Sequence, residues 1–142
     1  MTILAAGFGA DAIAQPKPED MVKNRQAAMR LQLKYLLPLV QVARDRVPYD
    51  ATIAARNAGY LDVLLKMAWD DFQPGTEPVK SRSLPAVFKE PDKFKAAQEK
   101  VQSEAAKLAT LVKGGDEKAI KAGALALNDA CSNCHDTFRE KQ

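Results

Sequence analysis

Cys131-Ser132-Asn133-Cys134-His135 gathers both cysteines and the only histidine of the chain into five residues. This Cys-x-x-Cys-His spacing is that of covalent c-type haem attachment. Two thiols add across the haem vinyl groups, and the adjacent imidazole becomes an axial ligand of the iron. On a helix Cys131 and Cys134 stand three apart and Cys131 and His135 four apart, so all three share one face. A structural zinc site needs four ligands, and three packed this tightly make no tetrahedron. A redox Cys-x-x-Cys would follow a strand in a βαβ unit, a pattern the chain lacks. A disulfide within a helix is poorly suited to this separation. The expected cofactor is haem c, with Cys131 and Cys134 as thioether positions and His135 as the proximal iron ligand.

These residues need a scaffold, and the hydrophobic periodicity supplies four helices and no convincing strand. The first opens at Pro18-Glu19-Asp20, a proline and acidic residues suited to a first turn, and carries Val22, Met29, Leu33, Leu36, Leu37 and Val40 inward. Pro38 should kink this helix without ending it. Val47-Pro48-Tyr49-Asp50 is a break, with Asp50 as a cap. The second helix runs from about Ala51 to Met67, with Ala54, Leu61, Leu64, Leu65 and Ala68 inward. A turn-rich stretch, Asp70 to Pro91, then crosses the molecule, a length usually tied to function. Phe94, Ala97, Val101, Leu108 and Leu111 mark the third helix, stopped at Gly114-Gly115. In the fourth, Ile120, Ala124, Leu127, Cys131, Cys134 and Phe138 alternate threes and fours, a core seam. The expected architecture is all-α: an antiparallel four-helix bundle with haem in the core near one end.

Composition agrees with a single domain. The chain has 142 residues, 46% hydrophobic and 27% charged, and a formal charge of +3 that two haem propionates nearly cancel. Interleaved charges of this kind argue against nucleic-acid binding, and no apolar run approaches the ~20 residues of a membrane span. Met1 to Ala14 reads as a signal-peptide remnant ending in Ala12-Ile13-Ala14, a cleavage pattern, and residues 15–142 as the haem domain. The charged start of such a signal is missing, so the first Met is expected to fall inside a longer one. Export fits the haem motif and places the protein in the periplasm.

Several short motifs at consistent spacing resemble the cytochromes c′, the class II c-type cytochromes. Lys17-Pro18-Glu19-Asp20, then Arg25-Gln26 and Met29, are similar to that family's opening helix. Pro48-Tyr49-Asp50 is similar to its first loop, and Trp69 followed by Phe72-Gln73-Pro74-Gly75-Thr76-Glu77 to its crossing segment. Cys131-x-x-Cys134-His135-Asp136-x-Phe138-Arg139 matches its terminal motif. The resemblance implies a periplasmic homodimer with five-coordinate, high-spin haem, open on the side away from His135 to nitric oxide and carbon monoxide. It also implies cofactor contacts from Arg25, Gln26, Met29, Trp69, Phe72, Thr76, Glu77, Phe138 and Arg139. Arg25 and Gln26 would reach the propionates, although periodicity alone makes them an exposed pair. An indole N–H at Trp69 needs a partner, and a propionate is one candidate; the alternative is a plain core aromatic. Arg139, one helical turn after His135, would lie beside the proximal face, the alternative being a solvated arginine.

Met29 decides the function. A thioether there is either an apolar lid over an open iron or a sixth ligand, and Met/His ligation makes a low-spin electron carrier. The Arg25-Gln26 pair and Pro74-Gly75-Thr76 favour the lid. The expected function is non-enzymatic gas binding, with electron transfer as a further role. The alternative is a low-spin class II electron carrier whose redox partner the sequence does not name. A peroxidase needs distal acid–base groups, and the sequence offers no candidate. The outer positions Leu31 and Tyr35 of the first helix are the expected homodimer contacts.

Overall fold

The computed structural model describes residues 16–141. The expected signal remnant, residues 1–14, lies outside them. Four long helices form: α1 (Pro18–Ala43), α2 (Ala51–Met67), α4 (Pro91–Gly114) and α5 (Glu117–Phe138), with a single turn, α3 (Ala86–Lys89), in the crossing segment. The boundaries follow local chemistry. Pro18 and Pro91 open α1 and α4, where a missing N–H costs nothing. Asp50 accepts from the Ile53 N–H at 2.8 Å and Asp116 from the Ala119 N–H at 3.1 Å, capping α2 and α5. Gly115 ends α4 at φ 71°, the left-handed region that favours glycine. Helix α1 continues through Pro38.

The long helices pack around a square, α1 on α2 and α5, and α4 on α2 and α5. Val42, Ala54 and Ile120 meet at one end of the bundle. Arg25, Leu65, Phe94 and Cys134 meet at the other. Successive long helices therefore run antiparallel. Ala58, Leu61, Leu65, Val101, Ala105, Leu108, Ala124 and Leu127 fill the interior at 2% exposure or less. Burying each leucine contributes about 1.5–3 kcal/mol. Gly123 lets α4 and α5 approach closely, since a Cβ there would stand 2.8 Å from Leu111 Cδ1.

On α1 the inward face differs from the one expected. Leu33 and Leu37 are 60% and 47% exposed, whereas Arg25, Gln32 and Leu39 are buried. Val22, Leu36 and Val40 are buried as expected, so counting apolar residues misplaced only the Leu33–Leu37 flank of the stripe. The face is set by where α2 and α5 lie, and Gln32 can turn inward because its Nε2 donates to Leu64 O of α2 at 3.3 Å. Asn57 of α2 is likewise buried, its Nδ2 donating to Tyr35 O at 3.2 Å. Leu64 is only half-buried.

Candidate functional site

At the end where α5 finishes, one cavity of about 360 Å³ opens inside the bundle, walled by Cys131, Cys134 and His135. The seam of α5 places them there. Cys134 is buried, and Cys131 and His135 are half-buried on the same face. Among the described residues no three metal-binding side chains converge on a point. The motif is spread along a helix, a shape suited to a flat group. Burial pushes the Cys131 thiol up to about 11, with Cys134 adding to the rise. Burial raises Cys134 as well, against the pull of Arg139. Neither is a thiolate at neutral pH, unlike a redox or zinc cysteine. Burial, then the cations of Arg139 and Arg82, hold His135 below its usual range, against Asp136. A neutral imidazole keeps a lone pair for a metal.

The remaining walls come from every long helix and from the crossing segment. Met29 faces the cavity from α1, Leu65 from α2, Phe94 and Val101 from α4, and Val87 from α3. Phe94 is the hub of an aromatic cluster, 5.1 Å from both Phe72 and Phe138 and 6.0 Å from Trp69. Such pairs add about 0.5–1.5 kcal/mol beyond area. The Trp69 indole, in the turn after α2, donates to Leu65 O at 2.5 Å, so its N–H is satisfied by the last turn of that helix and not by a propionate.

Arg25 is 3% exposed. Its Nη1 donates to Thr76 Oγ1 at 3.1 Å and its Nη2 to Ser81 Oγ at 3.3 Å, and its guanidinium lies 4.6 Å from the Phe72 ring centre. Burial lowers its pKa, opposed by Asp71 and Glu77 at longer range. Among the described residues it makes no ion pair. A buried cation held by hydroxyls alone calls for an anion. Gln26 and Arg30 stand exposed at the mouth of the same cavity.

Two expected contacts fall elsewhere. Thr76 is buried but does not line the cavity; it stands behind Arg25, donating to Gln73 O at 2.8 Å. Glu77 is exposed and outside the cavity, its carboxylate accepting from the Gly75 N–H at 2.5 Å. Both serve the turn that carries Arg25's partners. Arg139 does line the cavity, yet not as a continuation of the helix. Helix α5 stops at Phe138 and Arg139 is extended, at φ −130° and ψ 140°. Nine lining residues were missed as site residues in the sequence, among them Arg30, Gln32, Ser81, Arg82, Val87 and Phe94. Only the length of the crossing segment hinted that it would contribute.

The family model described as Cytochrome C′ matches residues 20–139. The chain belongs to the cytochrome c′ family. A curated cytochrome c′ of Rubrivivax gelatinosus is 35% identical over 126 residues, covering 88% of this chain and 98% of its own. A nitric oxide complex of a variant of cytochrome c prime from Alcaligenes xylosoxidans superposes with a TM-score of 0.84 at 31% identity, covering 91% of this chain and all of that one. A carbon monoxide-bound variant of the same protein gives a TM-score of 0.82 at 32% identity, covering 88% and 98%.

As a cytochrome c′ the chain carries haem c, the covalently attached iron cofactor of the family. The cavity fits that group. Its walls are largely apolar, both cysteines stand on one of them, and Arg25 offers an unpaired buried cation to a propionate. No helix among the described residues is long and apolar enough to cross a membrane.

Proposed function

We propose that this cytochrome c′ is a periplasmic, non-enzymatic gas binder. Cys131 and Cys134 hold the haem, His135 ligates its iron, and Met29 is an unligated lid over the other side. When bound, haem supplies an iron able to take a small uncharged diatomic. The observation that carries the reading is the asymmetric cavity, with its only imidazole on α5 and an apolar thioether entering from α1. Variants of one relative of the same fold were captured with nitric oxide and with carbon monoxide.

Met29 and the aromatic walls exclude polar ligands, while Arg25 and Gln26 orient the cofactor through its carboxylates. Dioxygen gains from a distal hydrogen-bond donor, and the sole histidine is already engaged. No carboxylate lines the cavity, so the general acid–base pair of a peroxidase is absent from its walls.

The thioether lining the cavity also carries a second reading, a low-spin electron carrier with Met29 bound to iron. The optical spectrum of the purified protein separates them. High-spin bands in both oxidation states support gas binding; a thioether-to-iron band in the oxidised protein supports the carrier.

A homodimer through α1 and α2 belongs to the same proposal. Leu31 is 41% exposed and Tyr35 stacks on Tyr60 at 4.9 Å. Val63 and Met67 extend this apolar surface at 54% and 58% exposure. Sedimentation of the wild type and of Val63→Asp tests it: a dimer is expected, dissociated by the charge.

A further inference from the structure

Where α5 ends, the chain does not trail into solvent. It turns extended at Arg139 and pairs with the crossing segment. Leu84 N donates to Phe138 O at 2.9 Å and Glu140 N to Arg82 O at 2.9 Å, around an antiparallel bridge between Ser83 and Arg139. The Arg82 guanidinium closes this pairing from the side, its Nη2 donating to Glu140 O at 2.6 Å. Local sequence explains the geometry, because Pro85 forces Leu84 into the extended region. The pairing is also tied to the buried cation. Ser83 N donates to Ser81 Oγ at 3.3 Å, and the same oxygen accepts from Arg25.

We propose that Arg82 is a positioning residue, closing a clasp between residues 82–84 and 138–140 that holds Arg139 at the cavity and restrains the His135 end of α5. Both arginines line the cavity that His135 enters. The bond from Arg82 spans 58 residues of sequence, so it fastens the last turn of α5 to a different part of the fold. Without it two backbone bonds remain, one from half-buried Leu84 to buried Phe138 and one from exposed Glu140 to half-buried Arg82, at a helix end, where opening costs least. An open clasp frees Arg139 and lets the last turn of α5 move. With haem in place, His135 would then be held less firmly and would yield more easily to a strong competing ligand. This consequence rests on the gas-binding reading; the clasp itself does not.

The test uses the haem-loaded protein and three variants. Arg82→Ala removes the side bond, and Arg82→Lys keeps a single donor. Glu140→Pro removes the N–H given to Arg82 O while preserving an extended Arg139. Loss of the charge-assisted bond in Arg82→Ala, or of the backbone bond in Glu140→Pro, predicts about tenfold faster exchange of the Leu84 amide. Trypsin cleavage after Arg139 should quicken in step in Arg82→Ala, the bond after Arg139 in Glu140→Pro being resistant to the protease, and Arg82→Lys should restore part of the protection. Core amides such as Leu108 and Leu127 should exchange as in the wild type. Under nitric oxide, the rate at which His135 leaves the iron, read from the Soret band, should rise with the opening of the clasp. Leu84 exchange unchanged in Arg82→Ala overturns the positioning role. So does an open clasp with no change in the release of His135. A wild type that takes up no nitric oxide overturns the gas reading alone, and exchange and cleavage then decide the clasp.

Discussion

Replacing Met29 by alanine tests the proposed mechanism most directly. The side chain is half-buried and lines the cavity from α1. Full burial of a methionine is worth about 1.5–3 kcal/mol, so a half-buried one that must swing aside forfeits about 1–1.5 kcal/mol of contact. At 1.36 kcal/mol per tenfold, removing the lid should speed carbon monoxide and nitric oxide binding by about five- to tenfold. The iron should stay high-spin, because no bond to it is broken. Stopped-flow mixing of the reduced protein with carbon monoxide gives the rate, and the optical spectrum before mixing gives the spin state. Two results refute the reasoning. A binding rate unchanged within twofold would mean that Met29 does not obstruct the ligand. A wild-type spectrum already low-spin, turning high-spin in Met29→Ala with a lowered reduction potential, would make Met29 the sixth ligand.

His135→Ala should keep haem attached through acid-acetone extraction and denaturing electrophoresis while losing the normal proximal ligation; haem that washes out of the wild type would refute covalent attachment. Arg25→Leu separates a paired from an unpaired cation. A propionate partner predicts that the haem-loaded variant loses about 2 kcal/mol in denaturant unfolding, whereas an unpaired buried charge predicts no loss or a gain. Glu104 of α4 is held below its usual range first by hydrogen bonds from Lys100 and Lys107, against burial. A carboxylate lowered in the folded state stabilises above its unfolded pKa and ceases to as pH falls through the folded one. Glu104→Gln should therefore lower Tm at pH 7 by a margin that narrows as pH falls below the ordinary carboxylate range, read by thermal melts across that range; a gap in Tm that does not narrow toward acid would contradict the ion-pair account.

The haem motif was legible because all its information is local. Cys131, Cys134 and His135 are three and four apart, and a helix puts them on one face whatever surrounds it. Helix ends were legible for the same reason. Asp50 bonds within its own turn and Gly115 adopts its own left-handed conformation, neither needing a distant partner. Tertiary structure decided the rest, wherever a side chain's role depends on a group far along the chain. Leu33 and Leu37 face outward while Gln32 and Arg25 turn in, because only packing brings the Leu64 carbonyl, Thr76 and Ser81 to meet them. Trp69 and Glu77 are exceptions, each bonded to a neighbour within four residues, Leu65 O and the Gly75 N–H. Arg82 reads in the sequence as one more charge in a loop, and becomes a fastener only where Glu140 arrives beside it. Hydrophobic pattern and capping fix where each helix starts, stops and presents its motif. A buried polar group needs a partner, and the address of that partner is a property of the folded chain.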